Sequence, residues 1–319
     1  MLATKVGHAL DFLLSHLKED GSYGADASDL AASYKSPMLF LRKGMAEEAD
    51  RVLTYIKRRF LMANGDFGTG GVKTADPVLS QYGSYLNGWI AIAAQRMGRF
   101  DVAYPASRYL DGFYREGRFA TLKPGDSQSD ILTVSHLGLH ALYMGQVEKA
   151  LAAGLALENA LDEQCDSRDF FLRFTADGPV TEFAEEATFL HLVRSAEPQQ
   201  AYFMVGYPIA YLALLYQASG EQSFLTGASR YLDFAARCSG VESFHFSHKV
   251  AWGATLYAGI TGDERAKTLS GAIVTHLLSL QSSDGGWHPE QPLTFRLDQT
   301  AEIALWLTEI AACSNGKQS

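Results

Sequence analysis

Cysteine is scarce in this chain of 319 residues: there are three, Cys165, Cys238 and Cys313, and none stands in a CxxC or CxxH spacing. That argues against a thiolate metal site and for free thiols in a reducing compartment. No apolar run reaches the roughly 18 residues that a membrane span needs, and β-branched runs of period two are nearly absent, so strands are not expected to build the fold. A basic stripe is missing as well, and the net charge of −9 argues against nucleic acid as a partner. The N-terminus opens directly on an amphipathic pattern carrying Asp11, Lys18 and Glu19, with no signal-peptide signature, so a cytoplasmic location is expected.

What the chain does contain is a repeat. Four times an apolar helical stretch runs into glycine, one residue and an aromatic: Gly21-Ser-Tyr23, Gly65-Asp-Phe67, Gly117-Arg-Phe119 and Gly285-Gly-Trp287. A second punctuation interlocks with it at Gly44, Gly98, Gly145, Gly220 and Gly262, each closing an apolar segment just before an amphipathic one. Glycine there is the usual left-handed helix cap, and acidic residues in the next first turn suit a helix dipole. A self-similar unit of roughly 45 to 60 residues therefore governs the architecture.

Between these marks the periodicity is helical. Residues 6–17, 46–62, 102–114, 147–161, 224–237 and 265–281 are amphipathic, whereas 30–42, 79–97, 131–144, 201–218, 248–260 and 297–311 are apolar and rich in Ala, Gly and Tyr. Six mixed-polarity helices alternating with six buried ones predict a single all-α domain over 1–319, an (α/α)6 toroid of six hairpins. The long connections should all lie at one end, where the buried helices begin, and should carry the pocket. The longest, 165–200, is expected to be a lid with a short helix, and Arg173 or Glu182 could reach the pocket from it.

Registering the buried helices on their closing glycines gives two layers. Asp29, Tyr82, Asp130, Tyr207 and His248 form a polar rim; Tyr34, Trp89, His136, Tyr211 and Trp252 form an aromatic floor, and Asp298, Glu302 and Trp306 repeat that order in the sixth helix. In the first and third helices the spacing fits one face poorly, and Ser33 or His140 are the alternatives. Asp29 and Asp130 also suit helix N-caps, and any one aromatic could be core packing. His248 beside Lys249 and Asp298 beside Arg296 bring opposite charges together, which suits acid–base work. His248, Asp298 and then Asp130 are the expected catalytic residues. Tyr82, Tyr85, Trp89, His136, Tyr207, Tyr211, Trp252, Arg296, Glu302 and Trp306 are expected to bind substrate. His136 and His140 stand one helical turn apart, but no third ligand is placed, so neither metal nor cofactor is expected.

The segment Leu277-x3-Gln281-x3-Gly285-x-Trp287 resembles the QW motif of terpenoid cyclase and protein prenyltransferase toroids, and Leu13-x3-Leu17-x3-Gly21-x-Tyr23 is a degenerate copy without the glutamine. The downstream Asp298-Gln-Thr-Ala-Glu-Ile-Ala-Leu-Trp306 is similar to the inner helix that follows in those toroids. The resemblance implies a toroid in which glutamine and aromatic tie an outer helix to the start of an inner one. It does not extend to catalytic signatures. Asp26-Ala-Ser-Asp29 is no Asp-x-Asp-Asp acid, and neither the zinc ligands of prenyltransferases and lanthionine cyclases nor the thioester segment of complement is present. More distantly, an Asp-Gly-x-Trp loop and Phe244-His-Phe-Ser-His248-Lys-Val-Ala-Trp252 resemble six-hairpin glycosidases, unsaturated uronyl hydrolases and N-acylglucosamine epimerases.

The leading expectation is a cyclase or isomerase that moves protons on a largely apolar terpenoid or polyketide-type biosynthetic intermediate. The alternatives are a carbohydrate-active enzyme on the same barrel, a glycoside or uronyl hydrolase or a sugar epimerase, and a non-catalytic binding toroid. A small molecule is the expected partner, and a homodimer is left open.

Overall fold

The computed structural model describes residues 1–24, 30–68, 79–115, 118–164, 166 and 168–315. Among them are twelve α-helices: α1 (Leu2–His16), α2 (Ser36–Arg42), α3 (Ala46–Phe60), α4 (Gly83–Arg96), α5 (Phe100–Leu110), α6 (Ile131–Tyr143), α7 (Val147–Asp162), α8 (Tyr202–Ser219), α9 (Gln222–Arg237), α10 (His248–Thr261), α11 (Glu264–Ser279) and α12 (Leu293–Asn315). Even-numbered helices are buried almost throughout and odd-numbered ones keep a polar face. The fold is all-α, an (α/α)6 toroid of six helical hairpins. Each predicted closing glycine has positive φ, from 70° at Gly98 to 78° at Gly262. No described helix is long and apolar enough to cross a membrane.

The chain divides into two compact units. Unit 1 comprises Met1–Gly112 with Leu278–Ala311, and unit 2 comprises Phe113–Leu277 with Ala312–Ser319.

In unit 1, α2 packs on α3 and α4, and α4 on α5. The glycine-aromatic repeat recurs there three times with one geometry. Lys18, Met62 and Ser282 donate backbone N–H to Ser22, Asp66 and Gly286, at 2.8, 2.8 and 2.9 Å. In each copy the residue before the glycine (Asp20, Asn64, Asp284) accepts the backbone N–H two positions on. Gly285 has φ 93°, and a Cβ there would run into the His8 carbonyl; Gly21 and Gly65 meet the Arg51 and Pro105 carbonyls in the same way. Glycine is thus required both by the left-handed turn and by the close approach of the next amphipathic helix. Tyr23, Phe67 and Trp287 are buried beneath these turns. Gln281 donates to the carbonyls of Lys5 (2.8 Å) and Gly285 (2.7 Å), and Thr300 Oγ1 accepts the Trp287 backbone N–H at 3.1 Å. The fourth expected copy, at Gly117, lies outside the described residues.

In unit 2, α8 is the central packing element, in contact with α6, α9 and α10. Gly206 faces the Lys249–Val250 backbone and Gly253 faces Ile209, so α8 and α10 approach more closely than a β-carbon at either position would allow. α10 is joined to α11 by a 2.7 Å hydrogen bond between Thr255 and Ser270.

One expectation fails here. The helix predicted over 30–42 is broken into a 3-10 turn (Leu30–Ala32) and the seven-residue α2. Pro37 has no N–H to offer the Ser33 carbonyl, and the Ser36 hydroxyl donates to it instead at 3.1 Å. Strands do not build the fold, as expected, but short ones occur. Among the described residues seven form three small sheets in unit 2: β1 (Tyr114–Arg115) with β2 (Arg118–Ala120), β3 (Ser129–Asp130) with β5 (Arg173–Thr175) and β6 (Gly178–Pro179), and β4 (Asp169–Phe171) with β7 (Leu192–Arg194). Each is two or three residues long, too short to leave a period-two signal. The segment 165–200 contributes four of these strands and one short helix, of 3-10 type (Glu185–Leu190).

Candidate active site

The break before α2 decides where charge enters the core of unit 1. Lys35 occupies the N-cap position of α2 and is 3% exposed. A buried ammonium has to be paired, and α12 supplies the partners. Asp298 and Glu302 stand one helical turn apart, hence on one face. Lys35 Nζ lies 2.9 Å from Asp298 Oδ1 and donates to Glu302 Oε2. Tyr85 Oη and Trp306 Nε1 donate to Glu302 Oε1 at 3.1 and 3.4 Å, and Gln299 Nε2 donates to Asp298 Oδ2 at 2.9 Å. Four rings enclose these groups. Tyr34 and Tyr85 lie 5.0 and 5.9 Å from the Lys35 ammonium, and Trp89 packs on Trp306 at 5.5 Å.

Two carboxylates and one ammonium leave an excess negative charge in a buried place. Burial pushes the Asp298 carboxyl up; Lys35 opposes the rise, Glu302 adds to it, and the net direction is upward. Burial alone would lower the Lys35 ammonium, but Asp298 and Glu302 reverse this and hold it charged. Tyr34 is pushed well above its ordinary range, first by burial and then by the Asp298 charge. Burial thus favours the protonated form of Asp298 more than water would. Among the triad the Asp298 side chain is also the most exposed, at 11% against 3% for Lys35 and 5% for Glu302.

Unit 2 holds a different grouping. The His136 Nδ1 atom lies 2.6 Å from the Tyr207 hydroxyl, and Trp252 packs on Tyr207 at 5.8 Å. Lys249, 3% exposed, places its ammonium 5.5 Å from the Tyr207 ring and 5.1 Å from the Phe203 ring. His248 is buried and its Nδ1–H donates to the His245 carbonyl at 2.8 Å.

The structure thus brings together Tyr34, Tyr85, Trp89, Asp298, Glu302 and Trp306 in unit 1, and His136, Tyr207 and Trp252 in unit 2. Asp298 and His248, expected to act together, belong to different units. Arg296 is not the cation of Asp298: its guanidinium binds Asp284 at 2.6 Å and covers the Phe12 ring at 4.8 Å. Asp130 is an N-cap, accepting the Thr133 backbone N–H at 2.6 Å. The Tyr211 hydroxyl donates to the Ala150 carbonyl, which fixes α8 to α7. Tyr82 is buried at the N-cap of α4, and Asp29 lies outside the described residues. Sequence reasoning missed Lys35. The signal was present, a lone lysine inside an otherwise apolar segment, where only a charge partner could hold it.

No protein-family model matches the chain. No curated protein matches it in sequence. Solved structures do match in fold. A D-mannose isomerase is 12% identical, with a TM-score of 0.71 over 96% of each chain. The α-1,6-mannanase of Salegentibacter sp. HEL1_6, an inactive variant in complex with α-1,6-mannotriose, is 12% identical, with a TM-score of 0.66 over 98% of this chain and 99% of that one. A type II terpene cyclase from Scytonema, in complex with merosterolic acid A, is 13% identical, with a TM-score of 0.61 over 98% and 97%. The toroid is shared with both kinds of enzyme that the sequence resembles.

Proposed function

We propose that the chain is a metal-independent proton-transfer enzyme, of cyclase or isomerase type, acting on a small molecule at the Lys35–Asp298–Glu302 cluster. Asp298 is the general acid, a role suited to a carboxyl that burial pushes up; its carboxylate then takes a different proton from the substrate cation, so the reaction is a net isomerisation. Lys35 and Glu302 are positioning residues that hold its carboxyl in place. The observation that carries this reading is a carboxyl raised by burial and set among aromatic rings, beside a second carboxylate, Glu302, that Lys35, Tyr85 and Trp306 engage. Rings that already surround an ammonium also stabilise positive charge developing on a substrate carbon. A largely apolar, unsaturated intermediate of terpenoid or polyketide type fits such a site best.

A second reading is favoured by the mannose isomerase and mannanase similarities: the same rings would stack on a sugar, and the same acid would work on its oxygens. One experiment separates the two. Purified protein in D2O is offered linear terpenoids in one series and free hexoses in another, with products followed by mass spectrometry. The leading reading expects a product from the first series carrying one added deuterium, lost in Asp298→Asn. Turnover of hexoses alone selects the second reading, and an Asp298→Asn variant with full activity removes the acid assignment. The expectation for His248 is tested separately by the activity of His248→Ala.

A further inference from the structure

Unit 2 carries a group of aromatic rings that water reaches. Phe189 belongs to the 3-10 helix Glu185–Leu190, Phe203 to α8, and Phe246 to the 3-10 turn His245–Ser247, which Phe244 precedes. Phe189, Phe244 and Phe246 are half-buried. The Phe246 centroid lies 6.1, 5.4 and 5.4 Å from those of Phe189, Phe203 and Phe244. These pairs meet at 53, 62 and 90°, so none is stacked and ring faces point in several directions. One ring already takes a cation, since the Lys249 ammonium lies 5.1 Å from the Phe203 centroid.

The charge around the rings has one sign. Residues 174–193 and 238–248, which supply the three half-buried rings, contain Asp177, Glu182, Glu185, Glu186 and Glu242, and neither lysine nor arginine. All five carboxylates are exposed. Side chains three apart in a 3-10 helix eclipse, so Glu186 stands on the same edge as Phe189. Glu242 stands two residues before Phe244.

We propose that Phe189, Phe244 and Phe246 form an open platform for an organic cation of quaternary ammonium type. Its alkyl groups lie on the ring faces, whose quadrupole is negative, and Glu186 with its acidic neighbours matches the charge. A quaternary ammonium donates no hydrogen bond, so ring faces and nearby carboxylates are sufficient for it. A primary ammonium would require acceptors at hydrogen-bond distance. The rings keep contact with solvent, so the ligand reaches them without entering the core.

Binding is the readout, and it is independent of the acid assigned to unit 1. Choline and its carbon isostere, the neutral alcohol dimethylbutanol, share shape and differ in charge. In NMR titrations of the full chain at low ionic strength, choline should bind saturably and about tenfold tighter than the alcohol. Phe189→Leu and Phe246→Leu keep apolar bulk and remove a ring face; each should weaken choline about threefold and leave the alcohol unchanged. Glu186→Gln should weaken choline about twofold. Equal affinity for the two ligands overturns the proposal, as does absence of saturable choline binding or unaltered choline affinity in all three variants. If a leucine variant fails to fold, as judged by far-UV circular dichroism, Glu186→Gln and the choline–alcohol ratio decide the matter.

Discussion

Lys35 shows how one side chain can organise a core. Its ammonium is paired twice, so truncation leaves two carboxylates a helical turn apart with no cation between them. Removing one partner of a buried ion pair costs about 3–5 kcal/mol. Lys35→Ala should lose stability of that order in urea unfolding, whereas Asp298→Asn, which keeps the Lys35–Glu302 bond, should lose clearly less. The pH dependence has a definite sign. Because burial raises the Asp298 carboxyl, the native state holds its proton more tightly than the unfolded chain does. This contribution is full below the ordinary value of 3.8 and is lost as pH rises through the raised value. Thermal midpoints should therefore step down with rising pH across that range, and Asp298→Asn should remove the step.

At the scale of elements, the turn before α12 is the best-defined local structure. Burial would raise Asp284, but bonds from Ser282, Arg296 and the Gly286 N–H outweigh it and bring the carboxyl down to about 2. A depressed carboxyl contributes above its ordinary value of 3.8 and loses that contribution as pH falls toward about 2. Urea midpoints measured across that window should fall for the parent protein and fall less steeply for Asp284→Asn. Much of this element was legible beforehand, because glycine two positions before an aromatic admits few backbones. The side-chain turn closed by Asp20, Asn64 and Asp284 was equally present in the sequence, as Asp or Asn before each glycine, and went unread. The break at Pro37 was legible too: a proline seven residues into a predicted helix removes a needed donor. The strands of 165–200 were not, since pairs two or three residues long are set by tertiary contacts rather than by pattern.

For the molecule as a whole, alternation of buried and amphipathic segments was enough to give the toroid, because helical periodicity is local and each copy repeats the evidence. The candidate site was less legible. Asp298, Glu302, Trp306 and Trp89 were picked out by spacing, but the cation of the two carboxylates lies more than 260 residues away in sequence, and only the fold brings Lys35 to α12. That distance has a consequence, since unit 1 is built from both ends of the chain. Gln281 bonds to Lys5, Gly285 lies against His8, and Lys35 depends on Asp298 and Glu302. A chain ending at Leu277 lacks every C-terminal partner in these contacts and leaves a buried ammonium unpaired. It should lose the near-UV dichroism of unit 1 and be cut rapidly by trypsin within residues 1–112, while fragments of 113–277 persist longer. Equal protection of 1–112 in the truncated and full-length chains would show that the N-terminal half of unit 1 folds without α12.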